Sequence, residues 1–131
     1  MTPVEISPEL GDLSDREVAL VEDARSDDVA FVWVLIDLGL RGNPPLNPDW
    51  RPGASEIESA FATLKRLRSR GLVEVGRVEY IDGGAPGRVA PVRHVAEPLA
   101  VVRERVEDAV ASASGPTDWE FSCWVVATPG V

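Results

Sequence analysis

Residues 54–95 read ASEIESAFATLKRLRSRGLVEVGRVEYIDGGAPGRVAPVRHV, and they hold a helix, a stop and a hairpin in that order. Ser55 followed by Glu58 is an S-x-x-E capping box, in which the hydroxyl and the carboxylate satisfy amide donors that the first helical turn leaves free. Ile57, Ala60, Phe61, Leu64 and Leu67 follow at a spacing that places them on one stripe of a 3.6-residue period. Gly71 can take the left-handed conformation that ends a helix, with Leu72 packing back on Leu67. The expectation is a helix over about residues 55–70. Leu72 to Ile81 then reads as a strand whose alternation changes phase at Gly76, as a bulge there would explain. Residues 82–87, DGGAPG, supply a loop, and Arg88 to Val95 the returning strand, with Pro91 keeping it off the centre of a sheet.

A capped helix ending in LKRLRSRGLVEVG and running into a hairpin resembles the recognition helix and wing of the winged helix-turn-helix superfamily. The resemblance covers residues 54–95. It implies a single α+β domain of winged-helix type, with N-terminal helices, a two- or three-stranded wing sheet and a C-terminal helix. It also implies that the 55–70 helix enters the major groove of double-stranded DNA while Arg88 touches the backbone beside it, in a dimer, as a transcriptional regulator does. The side of that helix opposite its apolar stripe holds Ser55, Ser59, Ala62, Arg66, Ser69 and Arg70, with no carboxylate at its centre. Hydroxyls and arginines can bond to phosphates and base edges, so Ser55, Ser59, Arg66, Ser69, Arg70 and Arg88 are the candidate DNA contacts. Small polar residues and arginine also make an ordinary solvated helix face.

Charge argues in both directions. The chain of 131 residues carries a net charge of −9, which repels nucleic acid and anionic membranes at long range. Residues 1–28 hold nine acids against Arg16 and Arg25, whereas residues 65–93 hold seven bases against Glu74, Glu79 and Asp82. Positive charge is therefore concentrated where a winged helix needs it. The acidic N-terminal region is otherwise a solvating surface or a patch that docks a basic partner.

Outside the hairpin, residues 1–13 read as a weakly ordered arm and residues 14–131 as the domain. Ser14 and Glu17 form a second capping box, opening a helix to about Arg25 with Val18 and Val21 inward. Ser26, Asp27 and Asp28 resemble a helix start and Gly39 a stop, which favours a helix over 27–38, although VAFVWVLI also suits a buried strand. Residues 42–53 contain four prolines and cannot hold a regular helix. Pro98 opens a C-terminal helix to about residue 113, bearing Leu99, Val102, Val106, Ala109, Val110 and Ala113 on one face, which either covers its own sheet or joins two subunits as a homodimer. Trp119 to Thr128 alternates as a strand, one that could extend the wing sheet.

Chemistry has little to work with. His94 and Cys123 are the only residues of their types, far from any nucleophile–base spacing, so no catalytic residue, metal site or cofactor is expected. The lone cysteine suits a reducing compartment, and the longest apolar run is far short of the roughly 20 residues a membrane span needs. A soluble cytoplasmic protein is the expectation. The rival function is a protein-interaction module without DNA binding, an adaptor, antitoxin or immunity factor. Trp50, in the proline-rich loop, is its candidate anchor if the indole is exposed; covering the core is the other role of that residue.

Overall fold

The computed structural model describes residues 13–41, 50–80, 92–112 and 119–128. Among them are four helices and a four-stranded antiparallel open sheet, a mixed α+β architecture. Helix α1 spans Asp15–Ser26 and strand β1 Val29–Ala30; helix α2 spans Phe31–Asp37 and helix α3 Ala54–Ser69. Strand β2 (Val73–Tyr80) and strand β3 (Val92–Ala96) pair as a hairpin, followed by helix α4 (Leu99–Ala111) and strand β4 (Trp124–Ala127).

The helix ends follow from local chemistry. Ser14 caps α1 with the capping box expected: its Oγ accepts from Glu17 N and Glu17 Oε1 accepts from Ser14 N, both at 3.2 Å. Gly39 and Gly71 take positive φ, +73° and +72°, and each closes its helix with a paired Schellman bond. Leu40 N donates to Leu35 O at 2.8 Å after α2, and Leu72 N to Leu67 O at 3.1 Å after α3. The start of α3 corrects the expectation. Gly53 is its N-cap, Glu56 Oε1 accepts from Gly53 N at 3.0 Å, and Ser55 bonds Glu56 instead of capping. A carboxylate three residues after Gly53 competes successfully with the Ser55–Glu58 pair because it meets an amide that is already free.

The 27–38 segment also differs from the expected single helix. Asp27 ends α1, Val29 and Ala30 form a two-residue strand, and only Phe31 to Asp37 is helical. Both readings of VAFVWVLI are thus partly right, since its β-branched start pairs with β4 and the remainder packs as a helix.

The sheet order is β1-β4-β2-β3, so β4 extends the hairpin sheet along the β2 side, as expected, and carries β1 on its other edge. The sheet therefore has four strands where two or three were expected. Val29, Val125 and Val75 are partners in one row across three strands, and all three are buried. Helices α1 and α2 pack against β4, and α3 and α4 against β2. The α3 stripe of Ile57, Ala60, Phe61, Leu64 and Leu67 is buried as its spacing requires. Each of its larger side chains contributes about 1.5–3 kcal/mol relative to exposure.

No bulge occurs at Gly76. The ladder runs unbroken from Val73↔Ala127 to Gly76↔Trp124 on one side and from Gly76↔Ala96 to Tyr80↔Val92 on the other. The phase change arises because the face that bears buried Val73 and Val75 continues as Arg77 and Glu79, where the strand leaves the core and pairs only with β3. Glycine is needed for a different reason: a Cβ at Gly76 would lie 1.9 Å from the Val95 carbonyl oxygen.

Helix α4 begins after Pro98, its N-cap, and buries Val102 and Val106. Arg51 caps its far end by donating from Nη1 to Val110 O at 2.9 Å and Ser112 O at 2.8 Å. The arm over residues 1–12, the prolines at 44, 45 and 48, the 82–87 loop, Arg88 and Pro91 lie outside the described residues.

Candidate functional site

The outward face of α3 carries Ser55, Ser59, Ala62, Arg66 and Ser69, with Arg70 at the helix end, all exposed. The helix thus brings five of the six candidate DNA contacts to one side, and the sixth, Arg88, is outside the described residues. Their charge is less available than their positions suggest. Arg66 donates from Nε to Glu17 Oε2 at 3.1 Å and from Nη2 to the same oxygen, which ties α3 to the first turn of α1. Burial pushes the Glu17 carboxyl up, but the bonds from Arg66 and Ser14 outweigh it and hold the group below the usual carboxylate range. Ser69 Oγ donates to Lys65 O at 2.7 Å, a back-bond that occupies its hydrogen.

The flanks of α3 are shaped by its neighbours. On one side Ser59, Thr63 and Arg66 line a cavity of about 180 Å³ with Ser14, Arg16, Glu17, Leu38 and Leu40. On the other, Arg103 of α4 comes within 3.8 Å of Glu58. The basic residues of the hairpin are likewise engaged. Arg77 pairs with Glu79 and, at 3.3 Å, with Glu97; Arg93 pairs with Glu79 at 2.7 Å; Arg105 pairs with Glu97 at 2.8 Å. Arg105 lowers the Glu97 carboxyl from its ordinary value, and Arg93 with Arg77 does the same for Glu79. Of the bases at 65–93, Arg66, Arg77 and Arg93 therefore lie against carboxylates, while Arg68 donates to the backbone Glu97 O at 3.1 Å.

Aromatic residues divide into two groups. Trp50, the candidate anchor, is half-buried and meets Trp119 edge-on at 5.8 Å between ring centroids. Arg41 lies between these two indoles, 5.2 Å from the Trp50 centroid and 5.3 Å from that of Trp119, with its side chain 5% exposed. Its guanidinium is 3.9 Å from Glu120. Trp50 packs against the core while remaining partly exposed. Among the described residues the exposed aromatics are Trp33, at 50%, and Phe121, at 52%, which stacks on Trp124 at 6.0 Å.

The exposure of Trp33 is not readable from the sequence, because the apolar run around it reads as core throughout. On α2 Phe31, Val34 and Leu35 share one face and Trp33 falls opposite, but both faces are apolar, so only the fold decides which is buried. Beside it lies a cavity of about 230 Å³ lined by Asp23, Ser26, Asp27, Asp28, Val29 and Trp33.

Reactive groups have structural surroundings. His94 Nε2 lies 3.0 Å from Trp124 O, which joins β3 to the first residue of β4. Cys123 is buried, and burial pushes its thiol up to about 12, far from the thiolate that nucleophilic attack requires. No group of three or more His, Cys, Asp or Glu among the described residues is placed to hold a metal ion, and no described helix is long and apolar enough to cross a membrane. Comparison with known proteins found no match to a family model, to a curated sequence or to a solved structure.

Proposed function

We propose that this chain is a winged-helix-like domain that acts by binding another protein. The observation that carries the reading is the fate of the arginines. Arg66, Arg77, Arg93, Arg103 and Arg105 each lie against a carboxylate of the same chain, while Trp33 and Phe121 stand half in solvent. DNA binding draws much of its affinity from cations that replace counterions on phosphates, and the pairing of Arg66, Arg77 and Arg93 on a chain of net charge −9 weakens that term. Exposed aromatics rimmed by polar groups are what protein contacts use. The winged-helix part of the proposal is supported by the order helix, short strand, two helices, hairpin, and by α3 ending where the hairpin begins.

A second reading, a DNA-binding transcriptional regulator, is favoured by one observation: no carboxylate stands at the centre of the exposed α3 face. The Arg66–Glu17 pair is partly exposed, and such pairs contribute only about 0–1 kcal/mol, so phosphate could displace the carboxylate.

Fluorescence anisotropy of mixed double-stranded DNA, titrated with protein at low and high salt, separates the two. The interaction reading expects no binding at low salt, and none gained in Glu17→Gln, which frees Arg66 yet keeps an amide able to cap Ser14. Binding that falls steeply with salt, strengthens in Glu17→Gln and disappears in Arg66→Glu would establish the regulator instead.

A further inference from the structure

We propose that the cavity between the end of α1 and Trp33 is the docking site for a basic segment of the partner protein, an arginine or lysine stem lying on the indole with its charge among Asp23, Asp27 and Asp28. The inference rests on the interaction reading above and specifies its surface.

Trp33 is the first reason. Its neighbours in α2, Phe31, Val32, Val34 and Leu35, are all buried, while the largest side chain of the helix faces out. An exposed indole on an otherwise buried helix is the informative kind of exposure, because the fold itself gains little from it. Charge is the second. Three carboxylates and no base line the cavity, and Val29 and Trp33 give it an apolar wall. Lysine and arginine carry the matching pattern, methylenes that cover apolar surface and a cation that lies well over an aromatic face.

Size is the third. About 230 Å³ is below the roughly 300–1,000 Å³ of cavities that enclose a drug-sized ligand, and suits one long side chain. The carboxylates are not gathered closely enough for a metal ion, since the described residues contain no such group. Behind the cavity Asp23 lies against Asp37 of α2.

The test uses the full chain labelled with nitrogen-15 and the indole N–H resonances of its four tryptophans. It is titrated with a synthetic peptide alternating arginine and alanine and with its glutamate counterpart. The expected result is saturable movement of the Trp33 resonance by the arginine peptide alone. Trp33→Ala and the double variant Asp27→Asn, Asp28→Asn each weaken binding about fivefold or more, while Phe121→Ser does not. Because Trp33 is exposed, its replacement leaves the thermal midpoint near that of the parent, and this is checked first.

Equal affinity in Trp33→Ala would overturn the site and mean diffuse attraction to a negative chain. Equal binding of the glutamate peptide would overturn it as well. A doubling of mass in sedimentation, with the Trp33 resonance shifted before any peptide is added, would assign the cavity to a second copy instead. A motionless Trp33 resonance with no DNA binding removes this site and leaves the interaction reading standing. DNA binding through Arg66 removes that reading whatever the peptide does.

Discussion

Single side chains set the limits within which this domain is stable. Asp37 is held at about 7 against 3.8 for an ordinary aspartate, so between those values the folded chain keeps a proton that the unfolded chain has lost. The stability this contributes is full below about pH 4 and disappears as pH rises through 7. Glu17 and Glu97, held below the usual range, act oppositely: their contribution is present above the ordinary carboxylate pKa and is lost on acidification. Asp37→Asn should therefore stabilise the protein at about pH 8 by on the order of 1 kcal/mol, the pair being partly solvated, and flatten the slope between about pH 5 and 8. Urea unfolding at the two pH values reads this directly, and a variant with the same slope as the parent would refute it. Trp119 is the other extreme, fully buried beneath Trp50, Phe31 and the Arg41 guanidinium. Trp119→Ala should cost about 3–5 kcal/mol in chemical denaturation.

Elements are held by their ends and by one close approach. Gly76 lies where β2 exchanges β4 for β3 as its working neighbour, and a methyl group there would strike the Val95 carbonyl. Gly76→Ala should cost about 1–3 kcal/mol, with hydrogen exchange accelerated in β2 and β3 more than in α1. Uniform acceleration would show that the hairpin has no separate stability. Features set by neighbours in sequence were legible beforehand: the Ser14–Glu17 box, the Gly39 and Gly71 stops, the α3 stripe and the hairpin all depend on residues a few positions apart. What depends on distant partners was not. Nothing near Trp124 marks it for the centre of a sheet, because its neighbours Ala30 and Gly76 come from far along the chain. The compensation of Arg66 is hidden for the same reason, since Glu17 comes from another helix. The start of α3 was misplaced by one contest between two glutamates, and the split of 29–37 arises because a segment apolar all round has no period to read.

At the scale of the whole molecule, β4 joins what the order of the chain separates. It pairs Val29 on one side and Val75 on the other, so without it β1 has no partner and the core row Val29–Val125–Val75 is open. A chain stopped at residue 118 should lose cooperative thermal unfolding and bind hydrophobic dyes; a sharp transition within a few degrees of the parent would show that the helices and hairpin suffice. The same placement governs how the protein comes into being. A chain emerging from the ribosome can form α1, α3 and the hairpin early, yet the strand that closes the sheet is synthesised after all the others. Until then β2 presents an unpaired apolar edge, the kind of template on which nascent chains pair with one another. Slow synthesis of residues 119–128 thus prolongs an aggregation-prone state, and the speed of translation there becomes a determinant of yield.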